Sequence, residues 1–258
     1  MSDNKERFTG KADLYNKFRP SYPKELLDYL YSEVGVSADS VIADIGAGTG
    51  IFSRLLLERG SRVFGVEPND DMRRFAEQDF CGFKKFTAVN APAESTGLAA
   101  GSVDFVTSAQ AFHWFDVELF RAECRRILKP GGKVVIVWNT RDFDADFMRR
   151  EYEIRLKYCI DTKGMNGPDV SEKRHSPGKE GEFFRAGGCE ARLFRNDLLL
   201  KREEFIGRNL SSSYAPREDT SPEKYHGYVA ALNELFDGFA VNGTVNFAHY
   251  TESFVGVV

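Results

Sequence analysis

The chain has 258 residues, 42% of them hydrophobic and 29% charged, which is enough for one large α/β domain with its own core. With 35 Lys+Arg against 39 Asp+Glu it carries a net charge of −4, which argues against a broad basic footprint for nucleic acid. Met1 to Arg7 is polar where a signal core would be apolar, and runs such as Val134 to Trp138 are too short to span a bilayer.

In chain order, Val41 to Ile45 is an apolar run of strand length, and a glycine cluster follows it. Ile51 to Arg59 has Ile51, Phe52, Leu55 and Leu56 at helical spacing, and Gly60 stands where a helix C′ residue belongs. Arg62 to Val66 is the next strand, and Asp70 is the expected cap of a helix carrying Met72, Phe75 and Ala76. Lys85 to Val89 and Val103 to Thr107 read as the third and fourth strands, and Val117 to Leu128 as an amphipathic helix capped by Asp116. Pro130-Gly131-Gly132 turns into a fifth strand, Lys133 to Trp138. Strand and helix alternating at this rhythm predict a parallel sheet covered on both faces.

The remainder differs. Asp142 to Ile160 is a long charged helical stretch, and Asp161 to Gly181, rich in Gly, Pro, Lys and Asp, is an irregular excursion. Arg192 to Leu200 and Thr244 to Val255 read as two late strands, with helices Arg202 to Leu210 and Pro222 to Phe239 between them. The cysteines, Cys81, Cys124, Cys159 and Cys189, lie 30 or more residues apart, so they form neither a sequence-local zinc knuckle nor a disulfide framework.

Asp44-Ile45-Gly46-Ala47-Gly48-Thr49-Gly50 joins the first strand to a helix. Glycines there permit a tight turn and a close ligand approach to the main chain. In the dinucleotide fingerprint G-x-G-x-x-G the third glycine would fall at Ile51 rather than Gly50, and no Lys follows as in a P-loop. Glu67 closes the second strand beside this loop, where a carboxylate can accept two hydrogen bonds from a ribose diol. Separately, each feature has an ordinary reading, a strand–helix turn and a solvated charge; together they point to a nucleoside.

On these motifs the chain resembles the class I S-adenosylmethionine-dependent methyltransferases. It is most similar to the small-molecule branch that includes trans-aconitate methyltransferase and the quinone-biosynthesis methyltransferases. The resemblance implies a Rossmann-like seven-stranded, mostly parallel sheet with the last strand antiparallel, helices on both faces and a small helical cap. It makes 1–258 a single domain: 38–140 the cofactor-binding core, 1–37, 141–188 and 202–240 cap and substrate-side elements, and 190–200 and 244–255 the late strands.

The cofactor implied is S-adenosylmethionine, with S-adenosylhomocysteine as product. The resemblance puts Gly46, Gly48 and Gly50 under the methionine part, Asp44 towards its ammonium, Glu67 on the ribose and Met72 over the adenine. Asn90-Ala91-Pro92-Ala93-Glu94 resembles the loop that reads the adenine edge; Pro92 has no N–H to donate, which leaves Ala93 or Glu94. Ser108 and Gln110 border the methionine end, within a stretch that runs through His113-Trp114-Phe115. Tyr15 and Arg19, in the opening segment, match residues that close over the cofactor, Arg19 forking onto its carboxylate.

Methyl transfer from a sulfonium needs alignment and exclusion of water more than it needs a base. A carboxylate acceptor arrives ionised; a hydroxyl, amine or carbon acid needs a proton acceptor, for which His113 is the candidate. Trp114 is expected to wall the substrate pocket, with Arg141 and Tyr214 offering contacts to a polar substrate. The expectation is a cytoplasmic enzyme, monomer or homodimer, methylating a small molecule at a carboxylate oxygen or at carbon or nitrogen, without nucleic-acid or membrane partners. A cofactor-binding module without catalysis and a nicotinamide oxidoreductase are the rivals, and Ile51 speaks against the second.

Overall fold

Val41–Ile45 forms strand β1 at the centre of the sheet, where Ile42, Ala43 and Ile45 are fully buried. A strand covered on both faces reads as a continuous apolar run, and this one does except at Asp44. The computed structural model describes residues 20–159, 179–184, 188–212 and 214–258. Helix α1 (Lys24–Tyr29) precedes β1, and α2 (Ile51–Glu58), β2 (Arg62–Val66), α3 (Asp70–Asp79), β3 (Phe86–Val89) and β4 (Val103–Ala109) follow it. Then come α4 (Val117–Ile127), β5 (Leu128–Arg141), α5 (Asp146–Tyr158) and the short α6 (Lys179–Phe183). The chain continues through β6 (Cys189–Arg195), β7 (Leu198–Lys201), α7 (Arg202–Leu210), α8 (Pro222–Phe239), β8 (Thr244–Phe247) and β9 (His249–Gly256).

The main sheet has seven strands in the order β3-β2-β1-β4-β5-β9-β6. Strands β1 to β5 pair in parallel, and β9 inserts antiparallel between β5 and β6. The order reverses between β1 and β4, so a crevice opens at the carboxyl ends of these two strands. On one face α1, α2 and α3 bury Leu26, Phe52, Leu56 and Ala76 against Ile42, Val63 and Val135. On the other, Phe120, Cys124 and Ile127 of α4 join Phe183 and Phe184 over Ala43, Val106, Val134 and Ile136.

Most expected elements lie where the periodicity put them, and two corrections follow. The α3 cap is Asn69, not Asp70: Asn69 has the extended backbone of a cap and its side chain accepts from Met72 N. Asp70 is the first helical residue, where its charge still faces the helix N-terminus. The late strands, expected as two, are four. The pairs Arg195↔Tyr250 and Leu198↔Phe247 share one register, so β6–β9 and β7–β8 are one antiparallel ribbon interrupted at Asn196, Asp197 and Ala248. The cause is the end of β5: its pairing with β9 stops at Arg141↔His249, so β8 has only β7 beside it and leaves the main sheet. The freed β7–β8 ribbon packs with α5, α7 and α8 around a third apolar cluster that includes Phe147, Phe205, Tyr228, Leu232 and Phe247.

Phe120 is fully buried, stacked on Phe183 at 5.3 Å between ring centroids and tilted against Phe115 at 4.8 Å. Replacing it by Ala removes the ring that ties α4 to both the sheet and α6. The expected loss is about 3–5 kcal/mol in urea unfolding, and a loss below about 1 kcal/mol would contradict this packing.

Candidate functional site

The crevice begins with three glycines in the left-handed region: Gly46 at φ 70°, Gly48 at 58° and Gly50 at 87°. Two of them also leave no room for a side chain. A Cβ on Gly46 would lie 2.5 Å from Ala111 Cβ, and one on Gly50 would lie 2.3 Å from the Phe80 ring. The loop is held to the sheet by Val66, whose carbonyl accepts from both Gly46 and Ala47 N–H. Alternate glycines are therefore demanded by backbone geometry and by close neighbours together.

Two buried carboxylates flank the loop. Asp44 ends β1 with Oδ2 accepting from Ser53 Oγ at 2.6 Å and Oδ1 from Thr107 Oγ1 at 2.8 Å. Glu67, just past β2, accepts from Gly48 N–H at 2.9 Å through Oε2 and from Asn69 N–H at 2.8 Å through Oε1. Each of its oxygens keeps a second lone pair, so the main chain orients the carboxylate without exhausting it. Burial pushes Asp44 up to about 6, against the pull of the Ser53 and Thr107 hydroxyls. Burial also raises Glu67, opposed by the Asn69 and Gly48 N–H groups and by Arg73. The crevice thus holds two buried acids, Asp44 and Glu67.

Met72 is buried with its sulfur 3.7 Å from the point a Gly48 Cβ would occupy, so it stands over the loop. Ala93 is buried, and Glu94 turns its carboxylate to Asp116 N–H at 2.9 Å, tying the 90–94 loop to the start of α4. Ser108 is fully buried. Gln110, directly after β4, has φ 60°, a left-handed conformation costly for a side chain, and its N–H donates to Val137 O at 3.0 Å. That turn sends Ala111 and Phe115 back over Gly46. His113 is exposed, its ring 4.4 Å from Trp114 and 5.4 Å from Trp138 between centroids.

Two substrate candidates fall in a buried polar cluster rather than on an open wall. Arg141 lies within 3.2 Å of both oxygens of Glu151, and Tyr214 OH receives Arg155 Nη1 at 3.2 Å. Tyr15 and Arg19 lie outside the described residues. Residues that sequence patterns did not single out are Ser53, Thr107 and Asn69, which set the two acids, and Glu151, Arg208 and His249 beside Arg141. Their only signal was chemical type; nothing in the spacing of 141, 151, 208 and 249 brings them together.

Asp44 has its pKa raised above the 3.8 of an ordinary carboxyl, so the ligand-free folded chain holds a proton there that the unfolded chain releases. Stability contributed by this group is therefore present at low pH and lost as pH rises from about 4 to about 6. In ligand-free protein, Asp44→Asn should flatten that limb of the stability–pH curve, read by urea midpoints; identical slopes in the two proteins would refute the buried-acid assignment.

Residues 43–136 match the family described as a methyltransferase domain. An uncharacterized methyltransferase of Mycobacterium tuberculosis is 37% identical over 147 residues, which is 57% of this chain and 58% of that one. The chain thus spans less than two thirds of that relative's length. Among solved structures, a candidate type II methyltransferase from Anaeromyxobacter dehalogenans superposes with a TM-score of 0.65 at 26% identity, over 93% of this chain and 98% of that one. Phosphoethanolamine N-methyltransferase 2 of Haemonchus contortus, solved with S-adenosylhomocysteine, shares the fold at a TM-score of 0.55 and 18% identity, over 98% of this chain and 58% of that one. Over its core, this chain is therefore similar to the methyltransferases in sequence and in fold.

Proposed function

We propose that the protein is an S-adenosylmethionine-dependent methyltransferase acting on a small-molecule acceptor. The observation that carries the reading is the crevice at the carboxyl end of β1, where three left-handed glycines lie between the buried carboxylates of Asp44 and Glu67. A dinucleotide would bring its pyrophosphate negative charge towards Asp44, whereas S-adenosylmethionine brings an ammonium and a sulfonium. When bound, this cofactor supplies a methyl group on a positively charged sulfur that leaves as a neutral thioether.

The chain's own part is to hold, orient and exclude water. Glu67, set by Gly48 and Asn69, is the ribose acceptor; Asp44 faces the ammonium; Met72 covers the adenine; Ala93 or Glu94 offers a main-chain N–H to its edge. Gly46, Gly48 and Gly50 admit the methionine part, and Ser108 and Gln110 border it. Tyr15 and Arg19 close over it in this reading, and Trp114 walls the acceptor side. The ribbon β7–β8 with α5, α7 and α8 forms the cap on that side. The acceptor atom is first a carboxylate oxygen, which needs no base, and second a carbon or nitrogen, for which His113 takes the proton. The setting proposed is the cytoplasm, as monomer or homodimer and without nucleic acid.

Glu67→Ala removes the diol acceptor and should weaken S-adenosylmethionine binding by about 1–3 kcal/mol in calorimetric titration. Unchanged affinity would remove the ribose assignment. His113→Ala should lower turnover of labelled methyl donor more than it lowers cofactor affinity. A variant with the wild-type pH–rate profile would leave His113 as pocket wall.

A further inference from the structure

The stretch Pro20-Ser21-Tyr22-Pro23 leads into α1, with Pro23 extended at the cap position. Neither proline has an N–H to donate, and Pro23 restricts Tyr22 before it, so this stretch is short of main-chain donors. One carbonyl ties it to the late strands. Ser21 O accepts from Asn196 Nδ2 at 3.2 Å and from Asn139 Nδ2 at 3.5 Å, which occupies both of its lone pairs.

The two amides come from different strands. Asn139 lies in β5, and Asn196 directly follows β6, where the ribbon is interrupted. Thr251 of β9, fully buried, pairs in register with Asn139 and links the two side chains. Its hydroxyl donates to Asn139 Oδ1 at 2.5 Å and accepts from Asn196 Nδ2 at 3.1 Å. One proton and one lone pair thus fix which way each amide faces, so that both present N–H to Ser21. The other side of the stretch meets α2 and the glycine loop. Tyr22 packs edge-on against Phe52 of α2 at 5.0 Å between ring centroids. Ser21 lines a cavity of about 200 Å³ together with Thr49, Gly50 and Ile51, where the loop becomes the helix. Asn139 also reaches the opposite border of the crevice, because its carbonyl accepts from Gln110 Nε2 at 3.4 Å.

We propose that Asn139 and Asn196 are positioning residues for the cofactor: by holding the Ser21 carbonyl they fix residues 20–22 as one wall of the cavity at the glycine loop. A wall set before the ligand arrives leaves less chain to order on binding. The amides therefore act on affinity through Ser21 rather than by touching the ligand. With residues 20–22 in place only part of the time, apparent affinity falls by that fraction. That the ligand is S-adenosylmethionine rests on the methyltransferase reading; the hold on Ser21 does not.

The test combines calorimetric titration of the full chain with S-adenosylhomocysteine and amide hydrogen exchange of residues 20–29 and 41–45. Asn139→Ala and Asn196→Ala should each weaken binding at least about threefold, and the two together at least about tenfold. In the double variant without ligand, exchange in 20–29 should quicken while exchange in 41–45, at the centre of the sheet, keeps the wild-type rate; a general loss of stability would quicken both. Asn246→Ala removes another late-strand amide, one that donates to Asp197 Oδ2 at 3.4 Å, and should leave affinity within about twofold. Double-variant affinity within about twofold of wild type, or equal quickening of both segments, overturns the proposal. Should the double variant fail to fold, the side-chain amide resonances of Asn139 and Asn196 in the wild type decide: they shift on adding S-adenosylhomocysteine, or the proposal falls. Wild-type protein that binds neither S-adenosylmethionine nor its product sinks the methyltransferase reading, and exchange in 20–29 then judges the hold on Ser21 by itself.

Discussion

The buried carboxylate of Asp44 is the constraint around which the crevice is arranged. It stands at the end of β1, takes one hydroxyl from α2 and one from β4, and so joins the three elements that meet where the strand order reverses. Without those hydroxyls an ionised carboxyl at that depth would be prohibitively costly. With them the carboxyl is held in place at a raised pKa. The glycine loop that starts two residues later can follow its tight path because Val66 fixes its first N–H groups and Glu67 fixes Gly48.

Charge is divided along the edge of the sheet. At β1 and β2 the buried groups are the acids Asp44 and Glu67; around the end of β5 the guanidiniums of Arg141, Arg155 and Arg195 meet two buried acids, Glu151 and Asp142, with a neutral imidazole, His249, among them. Gln110 sits between the two halves in a backbone conformation that a side chain rarely adopts. Strain of that kind persists where surrounding structure holds it, and here Val137 and Asn139 do so.

The bend of the β6–β9 ribbon into β7–β8 creates the second half. As soon as β5 turns away after Arg141, the ribbon loses its neighbour, swings out of the sheet and carries Phe247 and His249 beneath α7. Had the ribbon stayed in the sheet, Arg141 would face solvent, as a charged residue after a strand usually does. Instead it meets Glu151 of α5 and, through Phe247, Arg208 of α7.

Sequence by itself determined the parts governed by local rules. The apolar runs at 41–45 and 62–66, the caps at Asp116 and Gly60, the glycine alternation at 46, 48 and 50 and the acid at 67 follow from pleat, helix period and backbone sterics, each legible within a few residues. Only the tertiary structure decided what depends on distant partners: Ser53 and Thr107 closing on Asp44, the division of each late strand in two, and the meeting of Arg141, Glu151, Arg208 and His249. Those contacts are set by where a strand loses its neighbour and by which charges share a low-dielectric interior, and neither quantity has a signature in residue spacing.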